Sequence, residues 1–209
     1  MSSIVWAERL TRWLPAAGHG PSNRVAWALG LLVLAQLLMP QTAMAQGGPY
    51  TVYVPLVVTT PVCEPNAEEA AVAALFAHDP GQTRTGITCS PVLAEVARAR
   101  AEDMARRHYF NHTNPDGYGP NYLATQAGFR LPSYYSSESD GNNIESIAAG
   151  VASPADVWSV WMASDAHRSH LLADNGFYRE QTEIGVGYFN DPTSEYGHYW
   201  VILTAKAGD

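Results

Sequence analysis

The chain has 209 residues with 12 basic and 20 acidic side chains, a formal charge of −8, and 46% hydrophobic content. That acidity argues against nucleic acid, which is held largely through Lys and Arg contacts to phosphate, and the composition suits a globular protein. Only two cysteines are present.

The first 45 residues read as a secretory signal peptide. Arg9, Arg12 and Arg24 precede an apolar run from Val25 to Met39; Pro40 follows, then Ala43-Met44-Ala45, the small-x-small pattern of a cleavage site. The alternative is a membrane anchor, but 15 apolar residues fall short of the ~20 that span a bilayer. Cleavage after Ala45 predicts a secreted chain with no permanent anchor. Its 9 basic and 19 acidic side chains give a formal charge of −10. At 164 residues it suits one domain with a proper core.

Residues 46–65 read as an extended, Pro- and Thr-rich linker. Cys63 and Cys89 are an even pair in an exported chain, which predicts a disulfide. Closing that loop would stabilise the fold by about 3.5 kcal/mol on the chain-entropy model. Asn66 with Glu69 predicts a capping box that opens a helix over AEEAAVAALFAH. Ser90-Pro91 predicts the start of the strongest helix. Its buried face is expected at Leu93, Val96, Ala97, Ala101, Met104 and His108, with Arg98, Arg100 and Arg107 mostly off it. Turn residues from Asn111 to Gly117 follow its expected end near Tyr109-Phe110.

Residues 131–143 are a polar loop. Ser153-Pro154 opens another helix, and Ser164-Asp165 is expected to cap a short one through Leu172. EIGVGYF and HYWVILTA flank NDPTSEYG, predicting two antiparallel strands. On the second, His198, Trp200 and Ile202 share a face. Mixed helices and a small antiparallel sheet give an α+β or layered α-β-α domain.

His112 stands where a turn can aim it at a cleft. Glu145 lies in the apolar stretch Ile144–Ala149, where a carboxylate is costly unless a His or backbone donor meets it. His167 and His170 sit at i and i+3. Three or four of these groups would suit zinc, with His112, His167 and His198 as candidate ligands. The alternative is a hydrogen-bonded network that only fixes the core.

AEDMARRHYFNHTNPDG, IESIAAG, WMASDAHRSHLL and EIGVGYF…GHYWVILTA together resemble secreted bacterial CAP domains. These are relatives of cysteine-rich secretory proteins, antigen 5 and plant pathogenesis-related proteins, also called SCP-like extracellular proteins. The resemblance covers roughly 66–205, within a domain expected at 66–209, and implies an α-β-α sandwich with a central antiparallel sheet and a His- and Glu-lined groove. Carried over, the groove residues are His112, Glu145, Ser164 (in place of a second Glu), His167, His198 and Tyr199. The family's final His falls on or beside Tyr199. The resemblance implies a binding module for a small or lipid-like ligand or a cell-surface component. The competing expectation is a metal-assisted hydrolase of peptide or cell-wall bonds, with zinc on the histidines and Glu145 as general base.

Overall fold

The computed structural model describes residues 63–208; the expected leader and most of the linker lie outside them. Six helices and four strands follow in order: α1 (Ala67–His78), β1 (Thr88–Cys89), α2 (Pro91–Arg106), α3 (Pro120–Gln126), β2 (Glu145–Ala149), α4 (Pro154–Ala163), α5 (Asp165–Leu172), α6 (Gly176–Arg179), β3 (Glu183–Asn190) and β4 (His198–Ala205). The sheet order is β1-β3-β4-β2. β4 pairs antiparallel with both neighbours, while the two-residue β1 runs parallel to β3 along its outer edge.

Because side chains alternate along a strand, β4 feeds two cores at once. Tyr199, Val201 and Leu203 face a core with α2 and α3, where Leu93, Val96, Ala97, Ala101, Met104 and Ala124 are buried. Trp200 and Ile202 face the other, built with Val72 and Phe76 of α1, Val157, Trp158 and Trp161 of α4, and Leu171 of α5. Helices therefore cover both faces, an α-β-α sandwich. β3 shows the same alternation in another form. Ile184 and Val186 face α1 and α4, while Gly185 and Gly187 lie under α2, whose backbone would stand 2.1–2.4 Å from any Cβ there. Only glycine lets helix and strand approach so closely.

The local signals explain the boundaries. Asn66 and Glu69 form the reciprocal capping box of α1, and Pro91 occupies the first turn of α2. α2 ends at Arg106, three residues before the expected stop, because His108 turns left-handed at φ 55° and the Tyr109 amide donates back to the Met104 carbonyl at 3.1 Å. This is a Schellman closure. His108 is therefore exposed beyond the helix and not on its buried face. A left-handed residue carrying a Cβ is strained, so His108→Gly is expected to raise stability by up to about 1 kcal/mol, read from urea melts. Ser164 ends α4 and begins α5 in one extended residue. Contrary to expectation its side chain makes no capping bond.

Side chains close both edges of the sheet. On β3 the Tyr188 amide donates to Glu69 at 3.2 Å; on β2 the Ile147 carbonyl accepts from the Trp161 indole at 3.1 Å. Cys63 and Cys89 are bonded, their Cα atoms 6.2 Å apart, tying the segment before α1 to β1.

Candidate functional site

Four segments converge at the Glu145 end of β2 on a polar cleft of about 180 Å³. His112 comes from the turn after α2, Asn142 and Asn143 from the loop before β2, Glu145 and Ser146 from β2 itself. Ala166, His167 and His170 come from α5, and Tyr178 from α6.

The foundation is Arg100, which lies on the buried side of α2, 2% exposed, rather than off it. Its Nε donates to Glu145 Oε1 at 2.9 Å, and Nη2 donates to the carbonyls of Asn111 (2.9 Å) and His112 (3.0 Å). Burial is the largest influence and pulls the guanidinium down, but the charge and hydrogen bond of Glu145, with Tyr109, together hold the group above its ordinary value. One cation thus neutralises the buried carboxylate and fixes the turn that carries His112. Asn142 Oδ1 accepts the Glu145 amide at 2.9 Å, securing the start of the strand.

His112 Nδ1 lies 2.8 Å from Glu145 Oε2. A carboxylate already paired with Arg100 only accepts, so the bond assigns a proton to Nδ1, and in the neutral ring Nε2 is the acceptor. The His112 side chain is 41% exposed and the Glu145 side chain wholly buried, so the imidazole is the part of the pair that a ligand meets. The carboxylate sought a partner, and it found two.

His167 faces His112 across the cleft. Its Nδ1 is buried and has no hydrogen-bond partner among the described residues. Burial, then the neighbouring His112, lowers its pKa below the usual imidazole value. It is neutral at pH 7, with ring nitrogens able to accept one proton and donate another.

His170 plays another part. Gln181 Nε2 donates to the Asn143 carbonyl, so its Oε1 is left to accept from Thr204 Oγ1 at 2.7 Å. The hydroxyl then accepts from His170 Nε2 (2.7 Å), and Nδ1 accepts from Ser146 Oγ (2.7 Å). The ring therefore anchors α5 to side chains of β2 and β4, not to nearby backbone. Arg84 reinforces it, donating to the carbonyls of His170 and Leu171 (both 2.7 Å) at the C-terminal end of α5, where a positive charge is favoured. With only neutral acceptors around it, burial lowers the Arg84 pKa to about 10.

Burial, with Arg84, His167 and His112 adding, lowers His170 to about 3. An unfolded imidazole takes up its proton near 6.5. Between those values the unfolded state binds more protons, so stability falls as pH falls from about 6.5 toward 3, by up to about 1.4 kcal/mol per pH unit. Urea melts at pH 7, 5.5 and 4.5 should show this loss, and His170→Asn should remove the His170 part of the slope.

Ser164, His198 and Tyr199 do not line the cleft. The register explains the last two: Glu145 pairs with Leu203, five residues beyond His198, about 17 Å along the strand. Tyr199 is fully buried in the α2-side core. The proposed zinc set His112, His167 and His198 is therefore not assembled, and among the described residues no three His, Cys, Asp or Glu side chains converge as ligands. The donor chemistry agrees: the carboxylate that would meet a cation is already bound by a guanidinium. Arg100, Asn142, Ser146 and Tyr178 are cleft-building residues that sequence reasoning did not name as such.

A model of the cysteine-rich secretory protein family, CAP, matches residues 85–203, more than half of the chain. The chain belongs to the CAP family. It is 33% identical over 108 residues to an uncharacterized protein of Bacillus subtilis (strain 168), YkwD, an overlap covering 52% of this chain and 35% of YkwD. The chain thus spans about a third of that relative's length. Two solved structures are similar at low identity. An outer surface protein from Borrelia burgdorferi has a TM-score of 0.48 and 18% identity, covering 66% of this chain and 89% of that one. An extracellular SCP-domain protein from Bacillus anthracis str. Ames has 0.43 and 22%, covering 65% and 38%. Within this CAP domain the family blocks fall on working parts. Ile-Gly-Val-Gly is the strand under α2, and the Trp161–Leu172 block is the α4–α5 corner that brings His167 to the cleft.

Proposed function

We propose that this CAP domain is a secreted binding module whose cleft takes a small polar ligand, or the polar end of a larger one, between His112 and His167. The carrying observation is the buried, unpartnered Nδ1 of His167 beside the outward-facing imidazole of His112. Leaving such a nitrogen unpaired costs about 1–3 kcal/mol, which a ligand acceptor or donor would recover. At about 180 Å³ the cleft is below the usual size of drug-like pockets, which favours a compact polar group over a lipid body. Secretion follows the leader-like residues 1–45 and the disulfide, a bond of oxidising compartments.

A metal-assisted hydrolase with Glu145 as base finds less support, since both carboxylate oxygens face Arg100 or His112 and the group has no exposed surface. The expected result of an NMR screen with small carboxylates, amides and amines is a set of shifts centred on His112, His167 and Tyr178. His167→Ala should abolish them at unchanged stability. Shifts scattered elsewhere, or equal in the variant, would refute the proposal.

A further inference from the structure

His198 lies away from the cleft, and its setting has a chemistry of its own. Its Nδ1 lies 2.7 Å from the Tyr188 hydroxyl. The two ring centroids are 6.0 Å apart and the planes only 15° from parallel. A bond that short between the rims, with the centroids that far apart, places the rings side by side rather than one above the other. Tyr188 and His198 therefore form a single, nearly flat plate.

The plate is rigid and has one accessible side. Beneath it Tyr188 rests on Trp200, centroids 4.1 Å apart, and Trp200 is fully buried with its indole donating to the Val151 carbonyl at 2.7 Å. Tyr188 and His198 are both only partly buried, so what they show to solvent is the face and rim away from Trp200. The rim is polar. With Nδ1 accepting from Tyr188, His198 keeps its proton on Nε2 as a donor. Asn190 sits beside it, its amide nitrogen donating to the Gly197 carbonyl at 3.2 Å and to His198 Nδ1 at 3.1 Å, which leaves its Oδ1 as an acceptor. Glu68, in the first turn of α1, is close enough that its charge adds to burial in pushing the Tyr188 hydroxyl up.

We infer that the Tyr188–His198 plate is a carbohydrate-binding platform for an uncharged glycan. A pyranose ring carries an apolar face of axial C–H groups, which packs on an aromatic plane, and a girdle of hydroxyls, which both donate and accept. The plate supplies the plane, while His198 Nε2 supplies a donor and Asn190 Oδ1 an acceptor at its rim. The chain's acidity, a formal −8, and the Glu68 carboxylate select against sulfated or phosphorylated sugars and nucleotides. The platform lies at the far end of β4 from the cleft, and it stands whether or not the cleft binds anything.

The test is titration of the purified protein with cellotetraose, N-acetylchitotetraose and maltotetraose. Binding is followed by Trp fluorescence, which Trp200 reports through its contact with Tyr188, and by saturation-transfer NMR. Saturable binding of at least one oligosaccharide at millimolar or lower Kd is expected. His198→Ala should weaken it about tenfold, the loss of a ring contact with its hydrogen bond. Tyr188→Phe, which keeps the ring but frees His198, should weaken it less. His112→Ala should leave it unchanged, and circular dichroism checks that each variant is folded. Absence of saturable binding to all three sugars, equal affinity in His198→Ala, or loss in His112→Ala alone would each overturn the platform.

Discussion

Gly187→Ala is expected to destabilise the domain by more than about 3 kcal/mol, at the upper end of overpacking effects. The added methyl would lie 2.2–2.3 Å from the backbone of Ala97 and Arg98, and at Gly185 2.1–2.4 Å from Leu93 and Ala94. Those are main-chain atoms of α2, from its first turn to its middle, which cannot rotate away. The helix itself must rise by on the order of 1 Å from a close-packed sheet, opening voids along the whole contact. Since a domain has only about 5–15 kcal/mol in hand, the double variant Gly185→Ala with Gly187→Ala should not fold. Gly176→Ala meets nothing within 4 Å and serves as the neutral comparison. Circular dichroism reads the double variant, and the urea midpoints of Gly187→Ala and Gly176→Ala decide: Gly187→Ala within about 0.5 kcal/mol of the parent would mean that α2 does not sit on the glycines.

The second large effect belongs to Arg100. Arg100→Met leaves the Glu145 carboxylate buried without its cation, a loss of about 3–5 kcal/mol. It also frees the Asn111 and His112 carbonyls, so the His112 turn should loosen as well. Hydrogen exchange at residues 111–114 should rise by more than the global stability change predicts. Arg100→Met combined with Glu145→Leu removes both charges and is expected to recover much of the stability, without restoring order at His112. If the single variant melts like the parent, the ion pair is not a foundation of the cleft.

Much of this architecture was legible because its signals are local. A capping box, a Ser-Pro helix start and two alternating strands separated by a turn act within a few residues, and they fall where the structure has them. The pairing of Glu145 was legible too, since an acid in an apolar run announces a partner. The identity of that partner was harder. Arg100 sits three and four residues from Val96, Ala97 and Met104, on the buried face by spacing alone, but an arginine is ordinarily read as solvent-facing. The separation of His198 from His112 was not legible, because it depends on which residue of β4 lies opposite Glu145, a matter of register between strands over 50 residues apart. α3 and β1, seven and two residues long, carry too little pattern to stand out.

The Cys63–Cys89 bond has a consequence for survival among proteases. The segment between α1 and β1, including exposed Gly81, Thr85 and Gly86, is a natural place for a nick. A cut there would sever the main chain between α1 and everything after it. The disulfide spans that segment, so α1 would stay leashed to the rest, with Val72 and Phe76 still in the core. Its return to its place against β3 and α4 would remain an intramolecular event at high effective concentration. A clipped molecule would keep its shape as two chains joined by sulfur, and only reduction would let the first helix leave.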